Sequence, residues 1–331
     1  MYPALVSIEN IPASTAENTH LVGMLISVLI DLIELIRRAS MRLSYSTNNL
    51  VDLCPRKYQI IKLQGEGSDA SNENNEHLDY GKALGEGLQC LMYTKDRDLA
   101  IVTALAAYHW NETDNKCMES MVLAIMTYEL SDDWEVAILD NGKPALELSF
   151  KIELGEGDYY CGFMDAVMIN RYTNKPGVFE VKTTGSMLND LSPMYKNSPQ
   201  GVGYSIVLSA IVPSADFSIH YPVVQLKRTW KPKIKVYEFE KTLKDRLEWL
   251  IDLKIQYDQL CTYRDMDYYP KKGQSCLDFN RPCHLFGICD LSAYTESPDY
   301  VEQKEEIEWD YVFNLEELIE LTQQQLLGDT T

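Results

Sequence analysis

The apolar positions divide this chain into a helical first part, a β-rich middle and a mixed final part. Residues 21–38 (LVGMLISVLIDLIELIRR) are apolar around most of a helical circumference. Asp31 and Glu34 make a narrow polar strip, and Arg37 and Arg38 stand at the C-terminal end, where they suit the helix dipole. This predicts a packed helix; one lying on a membrane surface would want more basic residues along its polar face. Residues 43–60 predict a short helix that Ser46 or Thr47 can cap and that ends near Cys54-Pro55. Residues 65–77 (GEGSDASNENNEH) read as a polar loop. From Tyr80 to Trp110 the pattern is strongly helical, although Gly81, Gly85 and Gly87 each cost about 1 kcal/mol against alanine in a helix interior. A second helix is expected over 116–130.

The middle turns to strands over 145–154, 159–170 and 177–184. Gly155-Glu156-Gly157-Asp158 and Asn174-Lys175-Pro176-Gly177 supply the two turns of a three-stranded meander. A helix over 199–212 follows and puts Gln200 and Tyr204, four apart, on one face, ordinarily as a surface hydrogen-bonding couple. Strands over 217–229 and 234–240, a long amphipathic helix over 243–263 and a last helix over 314–327 complete the pattern. This last helix carries Asn314 and Glu317 in capping-box-like spacing and an apolar face that either packs on the domain or binds a partner. Helices, then a meander, a helix, more strands and a helix make a mixed α/β domain, not a strict parallel alternation.

The meander carries the candidate chemistry. Asp165 opens the apolar run AVMI, and Val178 and Phe179 lead into Glu180-Val181-Lys182. A hairpin closed between them would bring both carboxylates to one point in the core. Buried like charges need neutralising, and a divalent cation is the usual partner. Glu86, among the helix glycines, is the candidate third acid, or else a solvent-facing helix glutamate.

Composition and charge bound the reading. With 331 residues, 45% of them hydrophobic, the chain can bury a substantial core. A net charge of −20 argues against a generally basic nucleic-acid coat, but eleven acids from Glu296 onward, against Lys304 alone, supply half of it. The opening MYPALVSIENIP lacks a basic start and a cleavage site, and the apolar run 21–30 is too short to span a bilayer, so a cytoplasmic protein without membrane attachment is expected. In that reducing setting eight cysteines point to metal binding before disulfides. Cys276, Cys283 and Cys289 lie close together amid Gly and Pro, a three-thiol clasp that lacks one ligand. His284 as the fourth would make a zinc site, and Cys54 would make four thiolates suited to an iron-sulfur cluster. Cys90, Cys117, Cys161 and Cys261 read as small core residues.

Together these residues resemble the PD-(D/E)XK nuclease superfamily, and within it the phage-like, RecB-type branch of four-cysteine exonucleases. Gly162-Phe163-Met164-Asp165 is similar to its metal-binding aspartate motif, Glu180-Val181-Lys182 to its acid-any-lysine motif, and Gln200-Gly201-Val202-Gly203-Tyr204 to its glutamine-to-tyrosine motif. Cys54, followed by Pro-Arg-Lys-Tyr, is similar to the lone upstream cysteine, and Cys276, Cys283 and Cys289 to the downstream three. The resemblance implies a restriction-endonuclease-like fold, a mixed central sheet flanked by helices, over 43–290. A helical insertion at about 80–130 lies within that span, while an N-terminal helical extension (1–42) and an acidic C-terminal tail (291–331) with the terminal helix fall outside it. The resemblance further implies Mg2+ or Mn2+ held by Asp165, Glu180 and the carbonyl of Val181, with Lys182 orienting water and Gln200 and Tyr204 positioning the site. A [4Fe-4S] cluster, or structural zinc, would clasp Cys54 to Cys276, Cys283 and Cys289.

The substrate so implied is DNA, single-stranded or an end-bearing duplex, in recombination, repair or processing. A protein partner at the acidic tail and a homo-oligomer are compatible with it. Two positions depart from the pattern. Gly85 stands where many relatives carry a histidine ligand, so Glu86 would have to substitute, and Cys276 and Cys283 are spaced more widely than in several relatives. Gly85 favours the alternative of a catalytically inactive DNA-binding or assembly protein that keeps the fold, and His284 that of a zinc-clasped structural protein.

Overall fold

The computed structural model describes residues 40–63, 76–109, 115–184, 188, 191–212, 214–225, 232–278, 281–289 and 307–328. The helix expected over 21–38, most of the 65–77 loop and the turn near Trp230 lie outside them. The described chain opens with strand β1 (Arg42–Leu43), helix α1 (Tyr45–Leu53) and helix α2 (Pro55–Tyr58), which runs into a π-helical turn, Gln59–Leu63. Pro55 suits the first turn of a helix, where its missing N–H is no loss.

Three helices follow: α3 (Glu76–Thr94), α4 (Arg97–Ala107) and α5 (Asn115–Thr127). The single helix expected from Tyr80 to Trp110 is therefore two. Lys95 takes a left-handed φ of 61°, and the Asp96 carboxylate accepts a hydrogen bond from the Leu99 N–H at 3.0 Å, starting a new helix where the old one would have continued.

The strands are β2 (Trp134–Val136), β3 (Leu146–Gly155), β4 (Asp158–Asn170), β5 (Pro176–Phe179), β6 (Lys182–Thr184), β7 (Asp216–Gln225), β8 (Lys233–Thr242) and β11 (Tyr311–Asn314), with a small separate hairpin of β9 (Leu277–Asp278) and β10 (Arg281–Pro282). Between them run helices α6 (Ser192–Lys196), α7 (Pro199–Ile211), α8 (Leu243–Asp265) and α9 (Leu315–Gly328). Apart from the small hairpin the strands make one mixed sheet, ordered β11–β3–β4–β5–β7–β8. Strand β6 continues β5 along β7, and β1 and β2 pair with the two ends of β4. Pairs β1–β4, β5–β7, β6–β7 and β11–β3 are parallel and the others antiparallel.

The expected third strand of the meander is thus split at Glu180 and Val181, though β5 and β6 keep the same register against β7. The preceding turn ends earlier than expected: Asn174 carries the left-handed φ of 55° and Pro176 already starts β5.

Alternating side chains feed two cores. Val167, Val178 and Val223 pack on one face with Val202 and Ile206 of α7 and Trp249 and Leu253 of α8. Ala166, Phe179 and Val224 pack on the other with Leu84, Leu88, Ala104 and Met121 of α3–α5. Helix α7 can lie this close to α8 because Gly203 has no side chain: a Cβ there would come within 2.5 Å of the Trp249 ring. Arg246 of α8 is buried and locks the pair, donating to the Ser205 Oγ at 3.0 Å and to the Ser205 carbonyl at 2.8 Å.

The segment read as an acidic tail contributes to this same sheet. Its strand β11 pairs with β3, Asp310 accepts from the Ser149 N–H at 2.8 Å, and Leu315, Leu318 and Ile319 of α9 pack on the first core. Of the two choices open to the last helix, it takes the packed one. The Asn314 side chain caps it, accepting from the Glu316 N–H at 3.0 Å.

Candidate active site

The register of three strands lines up three acids. Ala166 pairs with Phe179, so the next position along places Asp165 of β4 across from Glu180 at the end of β5. There the strands part, and the Val181 N–H turns from the sheet ladder to the Asp165 Oδ2, 2.7 Å away. On the other side of β4, Leu146 pairs with Ala166 and Leu148 with Met164, which places Glu147 across from Asp165. The alternation of the two cores breaks at this row. Leu148 and Met164 belong to the core under α7, whereas Leu146 and Ala166, two residues away, face the α3–α5 core. Glu147 itself has a left-handed φ of 49°, which accounts for the exchange of faces on β3.

Glu180 is 5% exposed and its surroundings are polar on one side only. Its Oε1 accepts from the Lys182 Nζ and from the Gln200 Nε2, each at 2.7 Å, and the Gln200 Nε2 also reaches the Tyr204 OH at 2.8 Å. Its Oε2 is buried with no hydrogen-bond partner among the described residues, as is the Oε1 of Gln200. The Gln200 and Tyr204 couple expected at the surface is therefore buried, because α7 lies flat on the sheet. Burial first, and then the charge of Glu180, hold the Asp165 carboxyl well above the usual carboxylate range. Burial raises Glu180 as well, against the opposing pull of Lys182. The Tyr204 hydroxyl is pushed up by burial and by Glu180, and so keeps its proton.

Beneath the fork the Glu180 N–H donates to the His220 carbonyl at 2.9 Å. The buried His220 ring stacks on Phe179 with centroids 4.2 Å apart, and its Nε2 lies 2.7 Å from the Ser218 Oγ. Its Nδ1 is 3.7 Å from Glu238, but burial drives its pKa down to about 3, so the ring is neutral and this is no ion pair at neutral pH.

Asp165, Glu180, Val181, Lys182, Gln200 and Tyr204 are thus brought to one place. Glu86 is not brought there by its helix. On α3 a Cβ at Gly81 would touch Thr183 of β6, and Gln89 donates to the Glu147 Oε1 at 2.5 Å, so positions 81, 85 and 89 make the face toward the row. Glu86 is about 100° further round, and the acid whose charge acts on both Asp165 and Glu180 is Glu147. Sequence reasoning missed Glu147 because a simple two-residue turn would set it opposite Ala166. The register shift between Glu153 and Gly155 moves it one place, to Asp165.

The second constellation closes between the two ends of the chain's main unit. Cys54, Cys276, Cys283 and Cys289 all line one cavity of about 30 Å3, with Lys57, Lys271, Ile60 and Leu285. Backbone bonds shape it: the Cys283 N–H donates to the Cys276 carbonyl at 2.8 Å and the Arg56 N–H to the Pro270 carbonyl at 3.2 Å. The Lys272 Nζ reaches the Asp52 carbonyl at 2.6 Å. His284 is exposed and outside the lining, so Cys54 is the fourth thiol at this place. Among the described residues no group of three or more His, Cys, Asp or Glu side chains already stands close enough together to hold a metal ion. At both sites the side chains would have to turn inward to do so.

No protein-family model matches this chain, and no curated protein matches it. Among solved structures it is similar to a candidate exonuclease from Eubacterium rectale, with a TM-score of 0.44 and 10% identity over 80% of this chain and 90% of that one. It is also similar to SSO0001, with a TM-score of 0.24 and 16% identity over 54% of this chain and 75% of that one. Likeness at this level says nothing of activity, and the functional reading rests on the site itself. Among the described residues no helix is long and apolar enough to cross a membrane.

Proposed function

We propose that this chain is a deoxyribonuclease that hydrolyses phosphodiester bonds with Mg2+ or Mn2+ held by Asp165, Glu180 and the Val181 carbonyl. The observation that carries the reading is the pairing of Asp165 with Glu180 at the strand fork, where a buried Glu180 oxygen has no hydrogen-bond partner among the described residues. An unmatched carboxylate oxygen in that setting is costly, and a hard cation is its natural complement. A bound metal of this kind supplies an activated water and neutralises charge as the phosphoryl group is attacked.

The chain's own groups have separate parts. Gln200 and Lys182 both hold the Glu180 Oε1, which leaves Oε2 as the ligand oxygen. Lys182 is partly exposed and can pass its hydrogen bond from Glu180 to the attacking water or to a phosphoryl oxygen. Tyr204, neutral and buried, fixes the Gln200 amide and through it Glu180. The Asp165 Oδ2 stays on the Val181 N–H, so Oδ1 is the oxygen it offers.

Four thiols around one cavity fit a thiolate-held group, a [4Fe-4S] cluster or a zinc ion, on Cys54, Cys276, Cys283 and Cys289. Its part is structural: it ties the first helices to the segment after α8, more than two hundred residues later in sequence, with no redox step. DNA ends or single strands are the proposed substrate, in recombination, repair or processing. Degradation of end-labelled single- and double-stranded DNA tests this. Activity should vanish with EDTA and return with Mn2+; DNA left intact under every metal condition would favour the second reading, an inactive DNA-binding or assembly protein, to which Gly85 points.

A further inference from the structure

We infer that Glu147 is the third carboxylate of this metal site, entering from β3 to complete the set that Asp165 and Glu180 begin. The inference rests on the metal-dependent reading above and names a ligand that reading lacks.

Position is the first ground. Glu147, Asp165 and Glu180 occupy one row across three neighbouring strands, so the three side chains rise from adjacent backbone positions. Backbone conformation is the second. Glu147 holds a left-handed φ of 49° in the middle of a strand, an uncommon state for a residue other than glycine, asparagine or aspartate. Such strain persists only where the surroundings impose it, and it gathers at sites that do chemistry. Here it turns Glu147 out of the strand's alternation and toward α3.

Orientation is the third ground. The buried Gln89 reaches across from α3 and donates to Oε1 of Glu147, which fixes the carboxylate and leaves its other oxygen for a further partner. One turn before Gln89 on the same face of the helix, Gly85 leaves open space: a Cβ there would meet no atom of the described residues within 4 Å. The helix therefore offers no ligand at the centre of the row and leaves room for one from the strand. Finally, the unpartnered Oε2 of Glu180 is an independent sign that the row awaits a cation, since no donor among the described residues satisfies it. Lys182 is bonded to the other oxygen and cannot balance three acids.

If Glu147 acted on the metal only through its charge, removing that charge would weaken binding but leave the number of waters on the bound Mn2+ unchanged. Binding of Mn2+ to the metal-free full chain, followed by the electron paramagnetic resonance signal of the free aqua ion, gives the affinity, and water-proton relaxation by the bound ion counts its waters, which separates the two cases. Outer partners of metal ligands already cost about tenfold or more in affinity when removed, so Glu147→Gln should bind Mn2+ at least about tenfold more weakly than wild type, should leave one more water on the bound ion, and should melt no lower than wild type without metal. Glu147→Asn, whose side chain tolerates a left-handed φ, should do the same and serves if the glutamine variant misfolds. Affinities indistinguishable from wild type in both variants, or weaker binding with no added water on the ion, would overturn the assignment of Glu147 while Asp165→Asn still lost binding. A wild-type chain that binds no Mn2+ would overturn the assignment together with the reading it rests on.

Discussion

Asp165 and Glu180 face each other one step beyond the last rung at which their strands pair, and the backbone N–H that would have made the next rung bonds the Asp165 carboxylate instead. The fold encloses both acids, and burial makes each harder to ionise than in water. Function and stability are therefore opposed at this point, and the opposition can be measured.

Removing the Asp165 charge should stabilise the metal-free protein. Its folded pKa is raised above the ordinary value of 3.8, so between the two the folded state binds more protons than the unfolded one. Stability falls as pH rises through that window, and the penalty is complete above the folded pKa. Asp165→Asn, whose side-chain oxygen can still accept from Val181, should melt higher than wild type at pH 7 to 8, by about 2–4 °C for each kcal/mol relieved. The gap should close toward pH 4. Calorimetric scans across that range check it, and Mg2+ should raise the melting point of wild type but not of the variant.

Lys182 is placed to act on the reaction more than on the fold. It is partly exposed and bonds one oxygen of Glu180, which Gln200 also holds. Lys182→Met should lower kcat by about 10²–10³, the usual cost of one electrostatic donor at a developing charge, with a small change in melting temperature. Steady-state kinetics on a labelled oligonucleotide, beside a melting curve, separate the two effects.

Two glycines should respond in opposite ways. At Gly85 an added methyl group meets none of the described residues, and alanine is the better helix former, so Gly85→Ala should stabilise by about 0.5–1 kcal/mol. At Gly203 the same methyl would strike the Trp249 ring between α7 and α8, and Gly203→Ala should destabilise by about 1–3 kcal/mol. Urea titrations of the two variants read both signs.

The four thiols around one cavity predict that a metal leaves with any one of them. Cys54→Ser and Cys283→Ser should each lose bound iron or zinc by elemental analysis, together with any brown colour. Each should also loosen the 270–289 segment, which hydrogen exchange would report as faster exchange there and at residues 52–56. Cys161→Ser, in the core of the sheet, should keep the metal.

Much of this was legible in the chain. The meander, the acids at 165 and 180 and the 199–212 helix were each marked by local signals: apolar runs, turn residues and helical spacing. What escaped reading depended on single backbone events. The break at Lys95 is one residue in a left-handed conformation, and the placing of Glu147 follows from one register shift in the hairpin. Strand β11 is four residues within an acidic stretch, and only its pairing with β3 makes it a strand. Glu86 stands out in sequence because it sits among the helix glycines, whereas the placing of Glu147 depends on cross-strand register, which sequence does not display.

The central claim is that Asp165 and Glu180 hold a metal that cleaves DNA. Its most direct test is the Mn2+-dependent rate of end-labelled DNA degradation by wild type and by Asp165→Asn, both purified alike and shown by circular dichroism to be folded. The account predicts cleavage by wild type that EDTA abolishes and a loss of about 10³ or more in the variant, the scale expected when a metal ligand at the reacting centre is removed. Equal rates in the two proteins, or cleavage that EDTA leaves untouched, would contradict it.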